Sequence, residues 1–207
     1  MRAFRRLAGV LIVAGLFLAP VAGTASASAA RSGAPAHQVR LTGGYTSVTT
    51  APGIAAALLG HGIVPIATLP GTEGAEIGSG GVTVKFTFPV TGGWLNTSQL
   101  SATIEHRGGI LFVAPASGKQ IAVSNFIISV KQEVLTAIVN GNPKARVPLL
   151  RLGLAHAHIQ AGRHYVSVSG IVLRLTKTAA GALNATFGTS LFTAGLELGT
   201  ASTLLRF

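Results

Sequence analysis

The sequence predicts an all-β domain, mainly antiparallel and arranged as a sandwich or barrel, with two short helices. Three observations carry this. Val82, Val84, Phe86, Phe88 and Val90 alternate with Thr83, Lys85 and Thr87, the period-2 signature of a strand with one face buried. Roughly eight such segments follow one another with glycine-rich turns between them, the spacing of an antiparallel sandwich or barrel. Only two stretches carry helix signals, TTAPGIAAALLGHGI and TKTAAGALNATFG, and they do not alternate with strands as a doubly wound sheet would require.

The first 27 residues read as an export signal. Arg2, Arg5 and Arg6 precede an apolar run from Leu7 to Pro20, and TASASAA supplies small residues for cleavage after Ala27 or Ala29. The run is short for a membrane span, so no transmembrane anchor is expected after cleavage. Residues 28–38 form a small-residue lead-in, and 39–207 a single β-rich domain. Cysteine is absent, which excludes a lipoprotein signal, a disulfide framework and thiolate chemistry. An exported location follows, secreted or held at the cell wall. Leu69-Pro70-Gly71-Thr72 is followed by Glu73 and lies inside the chain, so it is no sortase anchoring signal.

The formal net charge of +11 reflects a scarcity of acids: aspartate is absent, and the glutamates are Glu73, Glu76, Glu105, Glu133 and Glu197. Past the export signal the basic residues stand singly, without runs and with few aromatics between them, which argues against nucleic acid and is compatible with an anionic envelope component. Without aspartate there is no Ser/His/Asp triad, and neither GxSxG nor HExxH occurs. The chain is expected not to be an enzyme.

Along the chain, Val39 to Leu41 begins a first strand and Gly43-Gly44 breaks it. Thr49 or Thr50 caps a helix over Ala55 to Leu59 that stops at Gly60 or Gly62. Ile63 to Leu69 is extended, and PGTEGAEIGSGG is a loop. After Val82 to Val90, Thr91-Gly92-Gly93 makes a turn. Leu100 to His106 is the next strand, and Gly108-Gly109 turns a tight hairpin into Ile110 to Val113. Ile121 to Val130 and Val134 to Val139 follow, and Asn140-Gly141 is a strong turn. Val147 to Ile159 is one strand, with Leu150, Leu152, Leu154, His156 and His158 on one face. His164 to Leu175 is another, TKTAAGALNATFG a helix capped by Thr176 or Thr178 and stopped at Gly188, and Leu191 to Leu198 the last strand.

His106 ends the apolar row Leu100, Ala102, Ile104 and is the leading site candidate. The alternative is a strand-end histidine bonded to a backbone carbonyl. His156 and His158, two apart on a strand, share a face and could hold a metal if a third donor approached. The alternative is a basic rim.

FPVTGG, a strand, IEHRGGILF, then IAVSNFIISV and later LTKTAAGALNATFG are similar to the HtaA-like domain of secreted actinobacterial proteins. The resemblance implies an exported β-rich module that takes up haem through an axial tyrosine with a histidine close to it. His106, before Gly108-Gly109, matches the family's histidine. Tyr45, or Tyr165, would supply the phenolate, and Arg107 or Arg40 a cation for the haem carboxylates. The expected function is therefore a non-catalytic cell-envelope binding module for haem or another apolar anionic ligand. The rival is a structural or protein-interaction wall protein without a small ligand.

Overall fold

The longest strand, β5 (Gly81–Asn96), takes partners along both edges, and the sheet is built outward from it. The computed structural model describes residues 38–78, 81–99 and 101–207. The signal segment and its cleavage site, most of the lead-in, and Leu100 lie outside the described residues. Before β5 come β1 (Gln38–Arg40), β2 (Gly43–Thr50), helix α1 (Ile54–Gly60), β3 (Val64–Thr68) and β4 (Thr72–Gly78). After it come β6 (Ser101–His106), β7 (Gly109–Ala114), β8 (Lys119–Ser129), β9 (Val134–Val139), β10 (Asn142–Gly153), β11 (His158–Ala161), β12 (Tyr165–Leu175), helix α2 (Lys177–Phe187) and β13 (Glu197–Arg206).

Every pairing is antiparallel, and the ring β5, β2, β13, β12, β10, β9, β8, β6 returns to β5. The architecture is a closed barrel, which leaves no open edge within the ring. Outside the ring, β1 and β4 extend β5, β11 extends β12, and β7 continues along β8 and carries β3. Alternation fills the interior with Phe86, Phe88, Ile104, Ile128, Leu152 and Leu173, all buried. The helices add Leu58 from α1 and Ala179, Ala180 and Leu183 from α2. α2 has the expected ends: the Thr176 hydroxyl accepts from the Ala179 amide at 3.1 Å, and Gly188 closes it in the left-handed conformation.

Several segments differ from the sequence reading, each for a local reason. Gly43-Gly44 opens β2 instead of breaking the chain, and α1 is capped by Gly53, with no side-chain cap from Thr49 or Thr50. The PGTEGAEIGSGG stretch contains β4, exposed along its whole length, laddered to β5 and tied to β3 where the Glu73 carboxylate accepts from the Ala67 amide. Thr91-Gly92-Gly93 is no turn: β5 runs through it with a register shift between Val90 and Gly92. Gly108 does not turn a β6–β7 hairpin either. β6 pairs with Ile127 to Ser129 of β8, and β7 with Lys119 to Ser124, so the chain steps from one half of that edge to the other. β8 bulges between these halves, and the Asn125 amide donates to the Gly108 carbonyl at 2.9 Å. Val147 to Ile159 is not continuous, because β10 ends at Gly153 and β11 begins at His158. The last strand starts at Glu197, beyond most of the predicted Leu191 to Leu198.

Candidate functional site

His106 is the last residue of β6, opposite Val90 of β5. Strand alternation turns Ala102, Ile104 and His106 into the barrel and leaves Glu105 and Arg107 exposed. The ring is 4% exposed. Desolvation holds its pKa down at about 4, against a smaller upward pull from the Phe126 carbonyl.

The hydrogen bonds fix the tautomer. The Phe126 carbonyl, 3.3 Å from Nδ1, can only accept, so Nδ1–H donates to it. Nε2 is then an acceptor and takes the Thr46 hydroxyl proton at 2.8 Å. Thr46 Oγ1 in turn accepts from Thr203 Oγ1 at 2.8 Å, while Thr203 also lies 3.3 Å from the Tyr45 carbonyl. The chain of bonds runs Thr203 to Thr46 to His106 to Phe126, across β13, β2, β6 and β8. Among the described residues no buried side-chain polar atom lacks a partner.

Beside this cluster the barrel holds a cavity of about 130 Å³. Phe86, Phe88, Phe126 and Leu173 form part of its wall, and Ile54 and Leu58 of α1 with Ala179, Ala182 and Leu183 of α2 complete it at the helices. Phe88 and Phe126 meet edge to face, centroids 4.9 Å apart. The wall is almost wholly carbon: His106, Thr46 and Thr50 border it, yet the first two turn polar atoms to each other and the Thr50 hydroxyl oxygen accepts from the Val84 amide.

The other predicted residues are not gathered here. Tyr45 neighbours Thr46 on β2, stands on the opposite face and is 48% exposed, so it does not meet His106. Arg107 is exposed on the outside, and so is Arg40 on β1. Tyr165, 44% exposed, lines a separate surface groove with His164, Arg206 and Phe207. His156 lies in the bend after β10 and His158 opens β11, both exposed, so they share no strand face. Among the described residues no group of three metal-ligating side chains occurs. Sequence reasoning missed Thr46 and Thr203. Thr46 has one signal, the wholly β-branched row Thr46, Val48 and Thr50 on one face of β2, and Thr203 has none.

These partners set an expected result. Thr46→Val, nearly the same shape, leaves Nε2 buried without its donor and should cost about 1–3 kcal/mol in urea unfolding. Tyr45→Phe should stay within about 0.5 kcal/mol of the parent.

No family model matches the chain, and no curated protein matches it. Solved structures do. The crystal structure of the C-terminal domain of HtaA from Corynebacterium glutamicum superposes with a TM-score of 0.54 at 15% identity, covering 81% of this chain and 98% of that one. The fold is HtaA-like. A domain-swapped dimer of a histidine-to-alanine variant of the same HtaA domain matches at 18% identity and a TM-score of 0.49, covering 75% of this chain and 93% of that one.

Haem is the cofactor that an HtaA-like resemblance implies, and the described side chains of the cavity do not fit it. An iron needs a free nitrogen or oxygen donor, whereas both nitrogens of His106 are engaged and neither tyrosine lines the cavity. No lysine or arginine lines the wall to meet a carboxylate.

Proposed function

We propose that this chain is an exported, non-catalytic binding module of the cell envelope that takes an apolar ligand into its barrel beside His106. One observation carries the reading, the carbon-lined cavity inside a closed barrel, since a few dry, well-formed apolar cavities are where small ligands go. The export signal in the sequence supports the location, and among the described residues no helix is long and apolar enough to cross a membrane.

Two features support the absence of catalysis. All five glutamates are exposed. Thr46 and His106 have the contact of a nucleophile and its base, but a base held at a pKa of about 4 is weak near neutral pH, and no lysine or arginine lines the wall to hold an oxyanion. The HtaA-like fold supports haem as the ligand, while the engaged nitrogens of His106 speak against iron coordination.

Xenon and haemin separate these readings. ¹²⁹Xe NMR should show a protein-dependent shift that disappears on unfolding in urea, and haemin should give no saturable Soret band at micromolar protein. A saturable band that is lost in His106→Ala would restore haem. A barrel that answers to neither probe would be a scaffold, the reading that exposed Leu69 and Ile77, 89% and 87% accessible beside β4 and on it, would then favour as a protein-contact surface.

A further inference from the structure

We propose that the barrel interior is a site for one neutral, apolar molecule about the size of a single aromatic ring, and that it rejects anions, carboxylate-bearing haem among them. This rests on the binding-module reading and names its ligand class.

Size is the first argument. The cavity measures about 130 Å³. An engineered cavity of roughly 150 Å³ lined by Leu, Ile and Phe stays dry and takes benzene or xenon, whereas drug-sized ligands occupy roughly 300–1,000 Å³. One ring, or a short hydrocarbon chain, fills the space. A larger planar molecule would have to separate α1 and α2 from the barrel.

Charge is the second. A carboxylate taken from water needs a cation or several donors to offset its desolvation. The described lining has no lysine or arginine; the hydrogen-bonding atoms of His106 and Thr46 are spent on each other, on Thr203 and on the Phe126 carbonyl, and the Thr50 hydroxyl oxygen accepts from the Val84 amide. A bound anion would be buried against carbon. A neutral ring meets Phe86, Phe88 and Phe126 instead, side chains whose faces and edges reward an aromatic partner.

One lining residue faces solvent. Of the described residues that line the cavity, Ala182 alone is exposed. It lies on α2 one residue before buried Leu183, so this helix carries both a solvent-facing and a buried part of the lining. A larger side chain at Ala182 would add bulk to this part of the lining.

Toluene and benzoate test this, because they present the same ring without and with a charge. Expected with the full described domain is a rise in melting temperature of ~2 °C or more at saturating toluene, with intermolecular NOEs from the toluene methyl to Phe88, Phe126 and Leu173, and no effect of benzoate at equal concentration. Ala182→Phe should abolish the toluene shift. Equal or larger shifts from benzoate, or a saturable Soret band with haemin, would overturn the neutral-ligand inference and leave the binding module standing. If neither ring compound shifts the melting temperature and xenon finds no site, the binding-module reading fails with it. The comparison of the two rings on the unaltered chain decides the matter even where the Ala182 variant does not fold.

Discussion

Gly93→Ala should lose roughly 3 kcal/mol or more of stability, lowering the melting temperature by about 10 °C. Gly93 sits within β5 at φ +111, and a Cβ built on it would lie 2.0 Å from the Thr103 carbonyl oxygen. That oxygen belongs to the backbone of β6 and cannot rotate aside, so an alanine must push β6 away from β5. β6 is the strand that closes the ring, and its ladder to β8 spans only Thr103 to Glu105. Displacing it opens the barrel wall that carries His106. Gly118→Ala is the comparison: its φ is +67, yet nothing lies within 4 Å of the added carbon, so only the intrinsic left-handed cost of about 1 kcal/mol applies. Urea midpoints of the two variants measure the difference. Equal losses would mean that β5 does not bend where Gly93 stands.

The second large effect is a loss of stability in mild acid. His106 has a folded-state pKa of about 4 against an ordinary 6.5. Between these values the unfolded chain binds a proton that the folded barrel refuses, so acid favours unfolding. The stability is whole above pH ~6.5, falls as the pH drops and levels off near 4, a loss of about 3 kcal/mol. In His106→Gln that component should be absent, and subtracting the two pH profiles of unfolding free energy removes the contribution of the exposed glutamates. A difference that stays flat from pH 7 to 4 would refute the burial argument. Protonation also reverses the direction of the hydrogen-bond chain. Nε2–H would then donate to Thr46, Thr46 to Thr203, and Thr203 to the Tyr45 carbonyl, an acceptor that already stands 3.3 Å away. The longest bond of the series becomes its terminus.

The alternating row of β5, the cap and stop of α2, the Asn140-Gly141 turn and the inward set of His106 could all be read from local pattern. The barrel's corners could not. A glycine pair signals a turn to a reader of sequence because it permits positive φ, but a strand that coils around a barrel needs the same freedom, as Gly93 and Gly44 show. β2 was hidden because two of its inward residues, Thr46 and Thr50, are polar, and no apolar row announces them. β4 was hidden for the opposite reason, since every residue along it is exposed and its strand character comes from pairing alone. The partners of His106 follow from neither spacing nor propensity. Thr46 and Thr203 are separated by more than the length of most small domains and meet only because the sheet closes.

That closure has a kinetic side. The seam between β2 and β13, from Gly199 opposite Thr50 to Arg206 opposite Gly43, joins the second strand of the described chain to its last. Pairing over so long a loop is entropically costly and belongs among the slow events of folding. Until β13 docks, β2 and β12 each present a bare edge, the configuration most exposed to wrong pairing with another chain. The seam residues Thr46 and Thr203 then complete the His106 cluster in the same step that closes the ring, so the polar anchor and the barrel interior are acquired together.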